Sequence, residues 1–472
     1  MAKRKPKPRL NEPAKPPAAF LLRMRALLGE TEFAAFEKAL SIPVRRGLRL
    51  NCLKCRDIVA FCQTTGFVLS PAPFADEGFY ITGGEANGRH PWHHAGVFYL
   101  QEPSAMSAVA ALDPRPGQRI LDLCAAPGGK STQIAARLGG DGLLVANEII
   151  SGRAKILLSN LERFGVRNAC VYNETPERLC TAFSGFFDAV LVDAPCSGEG
   201  MFRREPAAAA DWTPQTPAAC AKRQLLILEN AKKALRPGGV LVYSTCTFAP
   251  EENEGVVAAF LKENPVFSLE TISHAFGRPA RPDWADGEPS LVRARRIFPQ
   301  DGGEGHFVAR LRWRADAPSP ESGGGMVSAQ SARVGVPEED LLRTFFAEQF
   351  DEPLYGMPHS TGEVLFLLPA ESPVLPRGLH LLRAGVCAGR VKNGRFEPAH
   401  ALYLAAADGA CRRTVELSLA DPRLAAFLHG EQIEAETADG YTAVLAAGHV
   451  VGFGKVSGGT LKNHYPRALR TL

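Results

Sequence analysis

The stretch "LDLCAAPGGKST", residues 121–132, decides the fold class of this 472-residue chain. Its apolar start predicts a buried strand, its adjacent glycines predict a tight loop, and "GKST" predicts the start of a helix. The same order returns downstream, where "GLLVANE", "ACVYNE", "FDAVLVDAP" and "GVLVYSTC" predict strands that alternate with helical segments. This alternation predicts an α/β fold with a parallel sheet and helices on both of its faces.

The glycine loop after the first predicted strand is similar to two anion-binding loops but satisfies neither pattern. A Walker A loop needs a glycine where this chain has Cys124, and a dinucleotide fingerprint needs spaced glycines, whereas Gly128 and Gly129 are adjacent. What remains is a glycine loop at the carboxyl end of a strand, with helix amides directed into a crevice. Such crevices bind nucleotide-like cofactors in open α/β sheets.

An acidic residue follows the second predicted strand. Glu148 lies twenty residues after Gly128 (148 minus 128), a spacing at which a carboxylate accepts hydrogen bonds from ribose hydroxyls. A glycine loop without the pyrophosphate pattern, followed by a ribose acid, indicates S-adenosylmethionine as the cofactor. The alternative is a tight structural turn followed by a surface acid.

Two cysteines each follow a predicted strand, Cys196 after "VLVDAP" and Cys246 after "LVYST". If the cofactor donates a methyl group to cytosine C5, a thiolate must first add to C6, and a second group must assist its release. Asp193 is placed to serve as the acid near N3 and the exocyclic amine. The alternative is that these cysteines are packing residues. We expect no metal, since "CLKC" at 52–55 has no matching second ligand pair.

The composition sets the broad class of the protein. A hydrophobic fraction of 45% predicts sizeable cores in two or three domains, and a net charge of +4 is only weak support for nucleic-acid binding. We expect no membrane span and no signal peptide, because no apolar run is long enough. Eleven scattered cysteines indicate reduced thiols and a cytoplasmic location.

Residues 17–40 predict paired amphipathic helices, and short strand-like runs beyond the central sheet predict one or two β-rich modules.

Several blocks of the sequence closely resemble the signature blocks of the Nol/Nop/Sun family of RNA cytosine-C5 methyltransferases. They are "LDLCAAPGGKST", "VLVDAPCSGEGMFRR" and "LVYSTCTFAPEENE", with "GLRLN", "YLQEPSAM" and "RIFPQDGGEGHFVARL" around them. The resemblance covers about residues 17–313. The remaining tail resembles that of the bacterial RsmF type, which modifies 16S ribosomal RNA. The resemblance implies a Rossmann-like, S-adenosylmethionine-dependent methyltransferase core, an N-terminal α-rich extension and a β-rich, PUA-like C-terminal module.

The resemblance also implies residue roles. Cys246 corresponds to the nucleophile, Cys196 to the cysteine that assists product release, and Asp193 to an acid beside the cofactor and the base. In DNA cytosine methyltransferases the cysteine equivalent to Cys196 is the nucleophile instead. Glu148 corresponds to the ribose ligand, and the adenine-contacting position falls on Asn173 or Glu174. The implied methionine-binding stretch is Cys124, Ala125, Ala126, Pro127, Gly128, Gly129 and Lys130.

Composition and the resemblance together predict a division of the chain into five segments. They are a basic disordered arm (1–16), an N-terminal RNA-binding extension (17–112), a catalytic domain (113–314), a linker (315–338) and an RsmF-type C-terminal region (339–472). We expect a monomer that methylates cytosine C5 in ribosomal RNA, with free 16S RNA or the small ribosomal subunit as its partner. The alternatives are a tRNA cytosine-C5 methyltransferase and a catalytically silent RNA-binding assembly factor.

The end of the tail has the composition of an RNA-binding surface. Lys455, Lys462, His464 and Arg467 surround Tyr465, which combines phosphate-binding cations with an aromatic ring. We therefore expect these side chains to contact RNA.

Overall fold

The computed structural model describes residues 16–316, 335–369 and 378–470. The predicted basic arm, apart from residue 16, and most of the predicted linker lie outside the described residues. Within these ranges no helix is both long enough and apolar enough to cross a bilayer.

The N-terminal region combines helices with a small antiparallel sheet. Its elements are α1 (Ala18–Leu40), β1 (Gly47–Leu50), α2 (Ile58–Thr65), β2 (Val68–Pro71), β3 (Gly78–Gly83), α3 (Pro91–His94) and β4 (Phe98–Leu100). The strands pair in the order β2-β3-β1-β4. Gly29 interrupts α1 with a φ of 72°, a left-handed value that glycine tolerates. The two halves of α1 are the predicted paired helices.

The central region contains the predicted alternation of strands and helices. Its elements are α4 (Ser107–Leu112), β5 (Arg119–Asp122), α5 (Gly129–Leu138), β6 (Leu143–Asn147), α6 (Ser151–Arg163), β7 (Ala169–Tyr172), α7 (Pro176–Ala182), β8 (Phe187–Asp193), α8 (Pro206–Asp211), α9 (Thr216–Ala234), β9 (Leu235–Thr245), α10 (Glu254–Glu263), β10 (Phe267–Glu270), β11 (Arg278–Pro279), β12 (Arg295–Ile297) and β13 (His306–Trp313).

Five parallel strands, in the order β7-β6-β5-β8-β9, form the middle of a ten-stranded sheet. The apolar runs of β6 and β8 are buried because helices cover both faces. The chain moves outward from β5 through β6 to β7 and then returns to β8 on the other side of β5. Ligands bind outside the carboxyl ends of the strands at such a switch point. This sheet confirms the Rossmann-like core that the sequence predicted.

The C-terminal region forms two further sheets. Its elements are α11 (Val336–Gln349), β14 (Met357–Thr361), β15 (Val364–Leu368), β16 (Leu381–Ala384), β17 (Val386–Lys392), β18 (Arg395–Pro398), α12 (His400–Leu404), β19 (Thr414–Leu417), α13 (Pro422–His429), β20 (Ile433–Glu434), β21 (Gly440–Ala446), β22 (His449–Ser457) and β23 (Thr460–Asn463). One sheet has the order β14-β15-β17-β18 and the other β19-β21-β22-β23-β20. Strand β16 joins neither, because it pairs antiparallel with β7 at the edge of the central sheet.

The end of the chain packs against the N-terminal region through one shared apolar core. The indole of Trp92 donates a hydrogen bond to the carbonyl of Ala446 at 2.7 Å, and His94 Nδ1 lies 2.8 Å from the Tyr465 hydroxyl oxygen. Tyr465 is only 2% exposed. The prediction that it contacts RNA is therefore wrong, because His400, Phe427 and His94 pack around its ring. Tyr441 is the aromatic side chain beside Lys455, whose Nζ lies 5.4 Å from the ring centroid.

Candidate active site

A cavity of about 1010 Å³ lies at the carboxyl edge of the central sheet. It lies beside the ends of β5, β6, β8 and β9 and the start of β13. Ten of the predicted site residues line it: Cys124, Ala125, Ala126, Pro127, Gly129, Lys130, Glu148, Asp193, Cys196 and Cys246. The carboxyl ends of parallel strands meet at one edge, so residues far apart in sequence come together there.

The two cysteines meet at this edge. Their Sγ atoms lie 3.3 Å apart, although 50 positions separate them in the sequence. The amide of Gly200 donates a hydrogen bond to the carbonyl of Cys246 at 2.9 Å, which joins the loops that carry the two thiols. The neighbouring Cys246 sulfur, and burial after it, raise the pKa of the Cys196 thiol. A second thiolate at this distance from a first would be strongly disfavoured.

Two buried glutamates hold the loop that carries Cys196. Glu252 accepts hydrogen bonds from the amide of Ser197 at 2.9 Å and from Gln224 at 2.8 Å. Glu199 accepts hydrogen bonds from the Thr247 hydroxyl at 2.9 Å and from the Trp212 indole at 3.1 Å. Burial raises the pKa of Glu199 to about 7. These contacts fix the loop after β8 against the loop after β9.

Asp193 forms a short network beside the cysteines. Its Oδ2 lies 2.7 Å from the Nζ of Lys130, and its Oδ1 accepts a hydrogen bond from the Ser244 hydroxyl at 2.7 Å. Burial by itself would raise the pKa of Asp193, but the charge of Lys130 and the hydrogen bonds from Lys130 and Ser244 together lower that pKa. The network therefore presents an ionised carboxylate, which accepts hydrogen bonds.

The other half of the cavity has the features of a nucleoside-binding wall. Gly128 has a φ of 111° and lets the chain turn from the loop into α5, whose first residues, Gly129 and Lys130, line the cavity. Glu148 is 3% exposed; its Oε1 accepts a hydrogen bond from the Ile150 amide at 2.9 Å and its Oε2 lies 3.1 Å from Arg153 Nη1. Asp122 Oδ1 is buried without a hydrogen-bond partner in the described ranges. These residues fit S-adenosylmethionine, whose hydroxyl and ammonium donors need such acceptors.

The two candidates for the adenine contact have other partners. The Asn173 amide donates hydrogen bonds to the carbonyls of Glu148 and Ile149 at 2.7 and 2.9 Å. Glu174 accepts a hydrogen bond from the His380 amide at 2.7 Å and pairs with Arg178 at 3.0 Å. Among the described residues that line the cavity, neither candidate is present. Asn173 positions the backbone after β6, and Glu174 holds the C-terminal region.

The cavity also contains residues that the sequence analysis did not single out, namely Tyr99, Gln101, Glu102, Asp122 and His306. Three of them belong to the "YLQEPSAM" block and one to the "GEGHF" block, so a signal for them was present in the sequence. His306 is the first residue of β13, which pairs antiparallel with β9. This pairing places His306 in the lining of the cavity that also contains the two cysteines.

Comparisons with known proteins identify the family. The sequence matches the description "16S rRNA methyltransferase RsmB/F" over residues 109–312 and the N-terminal domain of RsmF over residues 17–103. It is 35% identical over 471 residues to "Ribosomal RNA small subunit methyltransferase F" of Salmonella newport, covering 96% of each chain. The chain belongs to the RsmF family. Two further RsmF matches follow, to the first C-terminal domain over residues 344–405 and to the PUA domain over 414–471.

Solved structures agree with membership of the RsmF family. A methyltransferase homologue from Pyrococcus horikoshii is 30% identical, with a TM-score of 0.54, over 63% of this chain and 100% of that one. NSun6 from the same organism, 22% identical, has a TM-score of 0.55 over 64% and 99% of the two chains and shows a common fold. The RsmF matches confirm the predicted family, and the solved structures share the fold of the methyltransferase core.

Proposed function

We propose that this RsmF-family protein transfers a methyl group from S-adenosylmethionine to cytosine C5 in small-subunit ribosomal RNA. Cys246 is the nucleophile and Cys196 assists product release. The observation that carries the proposal is the 3.3 Å separation of the two Sγ atoms in one cavity with Asp193. Membership of the RsmF family supports ribosomal RNA as the substrate.

The cavity contains a group for each demand of the reaction. The cofactor, when bound, supplies an electrophilic methyl group beside the base. The Cys246 thiolate adds to C6, and the electron pair of the C5–C6 double bond makes C5 nucleophilic toward that methyl group. Asp193 accepts a hydrogen bond from the exocyclic amine and orients the base. The Cys196 sulfur then takes the C5 proton, the electron pair of that C–H bond restores the C5–C6 double bond, and the Cys246 thiolate is expelled.

The charge of the cysteine pair supports different roles for its two members. While Cys246 is anionic, the pKa of Cys196 is raised, so Cys196 remains a thiol. Once the sulfur of Cys246 bonds to carbon, that neighbouring charge is gone and Cys196 ionises more readily. Cys196 is therefore suited to accept a proton late in the reaction, at the step where the C5–H bond breaks.

A denaturing gel with three variants tests this assignment on substrate RNA and S-adenosylmethionine. Cys196→Ala should attack and methylate but fail to release, which leaves a slow-migrating protein–RNA band. Cys246→Ala should give no band and no methylation. Cys196→Ala/Cys246→Ala should lose the band, since the sulfur that attacks C6 is absent.

Two other outcomes would contradict the assignment. A band in Cys246→Ala alone would make Cys196 the nucleophile, as in the DNA enzymes. Weak methylation without a band in Cys196→Ala would reduce Cys196 to a packing residue. RNA with uridine at the target position is the substrate control, and it should trap none of the variants.

A further inference from the structure

His306 lies across from the nucleophile in the proposed mechanism. In the antiparallel ladder Phe307 pairs with Thr245, so His306 and Cys246 are the next positions along the two chains at that end of the ladder. Gly305 has a φ of 142°, and a Cβ atom there would lie 2.4 Å from the ring of Phe248. A glycine is therefore needed at this position, directly before β13 begins at His306. The imidazole of His306 lies in the lining of the cavity.

The imidazole is buried, and no side chain among the described residues makes a hydrogen bond to it. His306 is 3% exposed, and neither ring nitrogen makes a hydrogen bond within the described parts of the chain. Its Nε2 lies 3.8 Å from Asp193 Oδ1, which is too long for a hydrogen bond. Buried polar groups without partners are costly, so proteins rarely retain them unless a ligand completes the contact.

The charges around His306 keep the ring neutral. Burial, and then the ammonium of Lys130, lower its pKa to about 4. Asp193, Glu102 and the backbone of Gly305 act in the opposite direction without restoring it. A neutral imidazole has one N–H donor and one acceptor, so it can donate to a base while Asp193 accepts from the same base.

We propose that His306 is a base-contacting residue that donates a hydrogen bond to the N3–O2 edge of the target cytosine. This inference rests on the proposed function and adds a recognition group to it. Asp193 accepts from the exocyclic amine, and His306, 3.8 Å from that carboxylate, reaches the neighbouring positions on the same edge of the ring. Cytosine presents only acceptors at N3 and O2, which match a donor.

The contact also assists the reaction. When Cys246 adds to C6, negative charge develops on N3 and O2, so the hydrogen bond from His306 strengthens as the bond forms. Interactions that are stronger in the transition state than in the ground state raise the rate of the chemical step. His306 therefore favours cytosine over other bases and accelerates attack.

The test begins with the unmodified protein, whose methylated nucleotide is mapped by bisulfite sequencing. His306→Phe keeps an aromatic ring and removes the donor, while His306→Gln keeps a donor. We expect His306→Phe to lower the single-turnover methylation rate at saturating RNA by about 10- to 100-fold, and His306→Gln to restore most of it. The dissociation constant of S-adenosylmethionine and the Tm should be unchanged. His274→Phe, the same substitution at a half-buried site outside the cavity lining, is the control.

Altered substrates separate contact with the base from a structural role. RNA with 3-deazacytosine or 2-thiocytosine at the target lacks or weakens the N3 or O2 acceptor. The methylation rate of the unmodified protein should be lower on at least one analogue than on cytosine. The rate of His306→Phe should fall much less between cytosine and that analogue. Equal losses in both proteins, or a full rate for His306→Phe on cytosine, would overturn the inference. If the unmodified protein forms no 5-methylcytosine, the proposed function itself fails.

Discussion

The Nζ of Lys130 lies 2.7 Å from Asp193 Oδ2, so the first residues of α5 are bound to the end of β8. The ion pair spans the switch point between β5 and β8 and joins the cofactor half of the cavity to the cysteine half. The charge of Lys130 contributes to lowering the pKa of Asp193, the carboxylate that we propose contacts the target base.

The pH dependence of methylation should report this ion pair. In Lys130→Met, burial is no longer opposed by the ammonium, so the pKa of Asp193 rises. Protonated Asp193 no longer accepts from the exocyclic amine, and the acid limb of the pH–rate profile should move upward by about 1 to 3 pH units. Single-turnover rates between pH 5 and 9 measure the shift, with Lys130→Arg as the control that keeps the charge. If the acid limb does not move, the protonation state of Asp193 does not control the methylation rate.

Glu148 should control cofactor affinity. Glu148→Gln removes a carboxylate that is placed to accept ribose hydroxyls, and losing a charge-assisted hydrogen bond costs about 1.5–3 kcal/mol, or roughly tenfold or more in affinity. Isothermal titration with S-adenosylmethionine measures the change. Glu177→Gln, an exposed acid at the start of α7, should bind as tightly as the parent. Equal dissociation constants for the two variants would remove Glu148 from the cofactor site.

Stability should depend on pH through Glu199. Its pKa is about 7 in the folded protein and about 4.3 in an unfolded chain. Between these values the folded state keeps a proton that the unfolded state has released, so this group's contribution to the free energy of unfolding falls as the pH rises.

Glu199→Gln should remove that dependence. Relative to the parent, its free energy of unfolding should increase between about pH 4.5 and 7, by at most on the order of 3 kcal/mol. Urea unfolding at several pH values measures the difference. Glu263→Gln, at the exposed end of α10, is the control. A difference that stays constant with pH would show that Glu199 titrates normally.

Substitutions in the tail should have one of two effects, either weaker RNA binding or lower thermal stability. Lys455→Ala and Lys462→Ala should each weaken RNA binding and reduce its salt dependence by about one phosphate contact, because both side chains are exposed on neighbouring strands. Tyr465→Phe should instead lower the Tm and leave the salt dependence unchanged, since its hydroxyl partner is His94. Fluorescence anisotropy at several salt concentrations separates the groups. If neither lysine substitution changes the salt dependence of binding, the RNA does not contact these two lysines.

The sequence predicted the parts of the site that depend on local pattern. Asp193 is the last residue of a parallel strand, and Cys196 and Cys246 come just after the ends of two such strands. Parallel strands bring their carboxyl ends together whatever the details of packing. His306 depends instead on how an antiparallel strand arrives beside β9, which periodicity does not specify. Tyr465 shows the same limit, because its burial depends on His94, 371 positions away.

The pairing of β16 with β7 has a consequence for how the protein is synthesised. Until Leu381–Ala384 leave the ribosome, the nascent chain displays the backbone groups of Ala169–Tyr172 as an open edge. The unpaired backbone groups of an open edge can form hydrogen bonds with strands of other chains, which leads to aggregation. Glu174 also lacks its His380 partner during that interval. About two hundred residues (381 minus 172 gives 209) must therefore be translated before this sheet is complete, and a shortened messenger that stops earlier would yield an aggregation-prone enzyme.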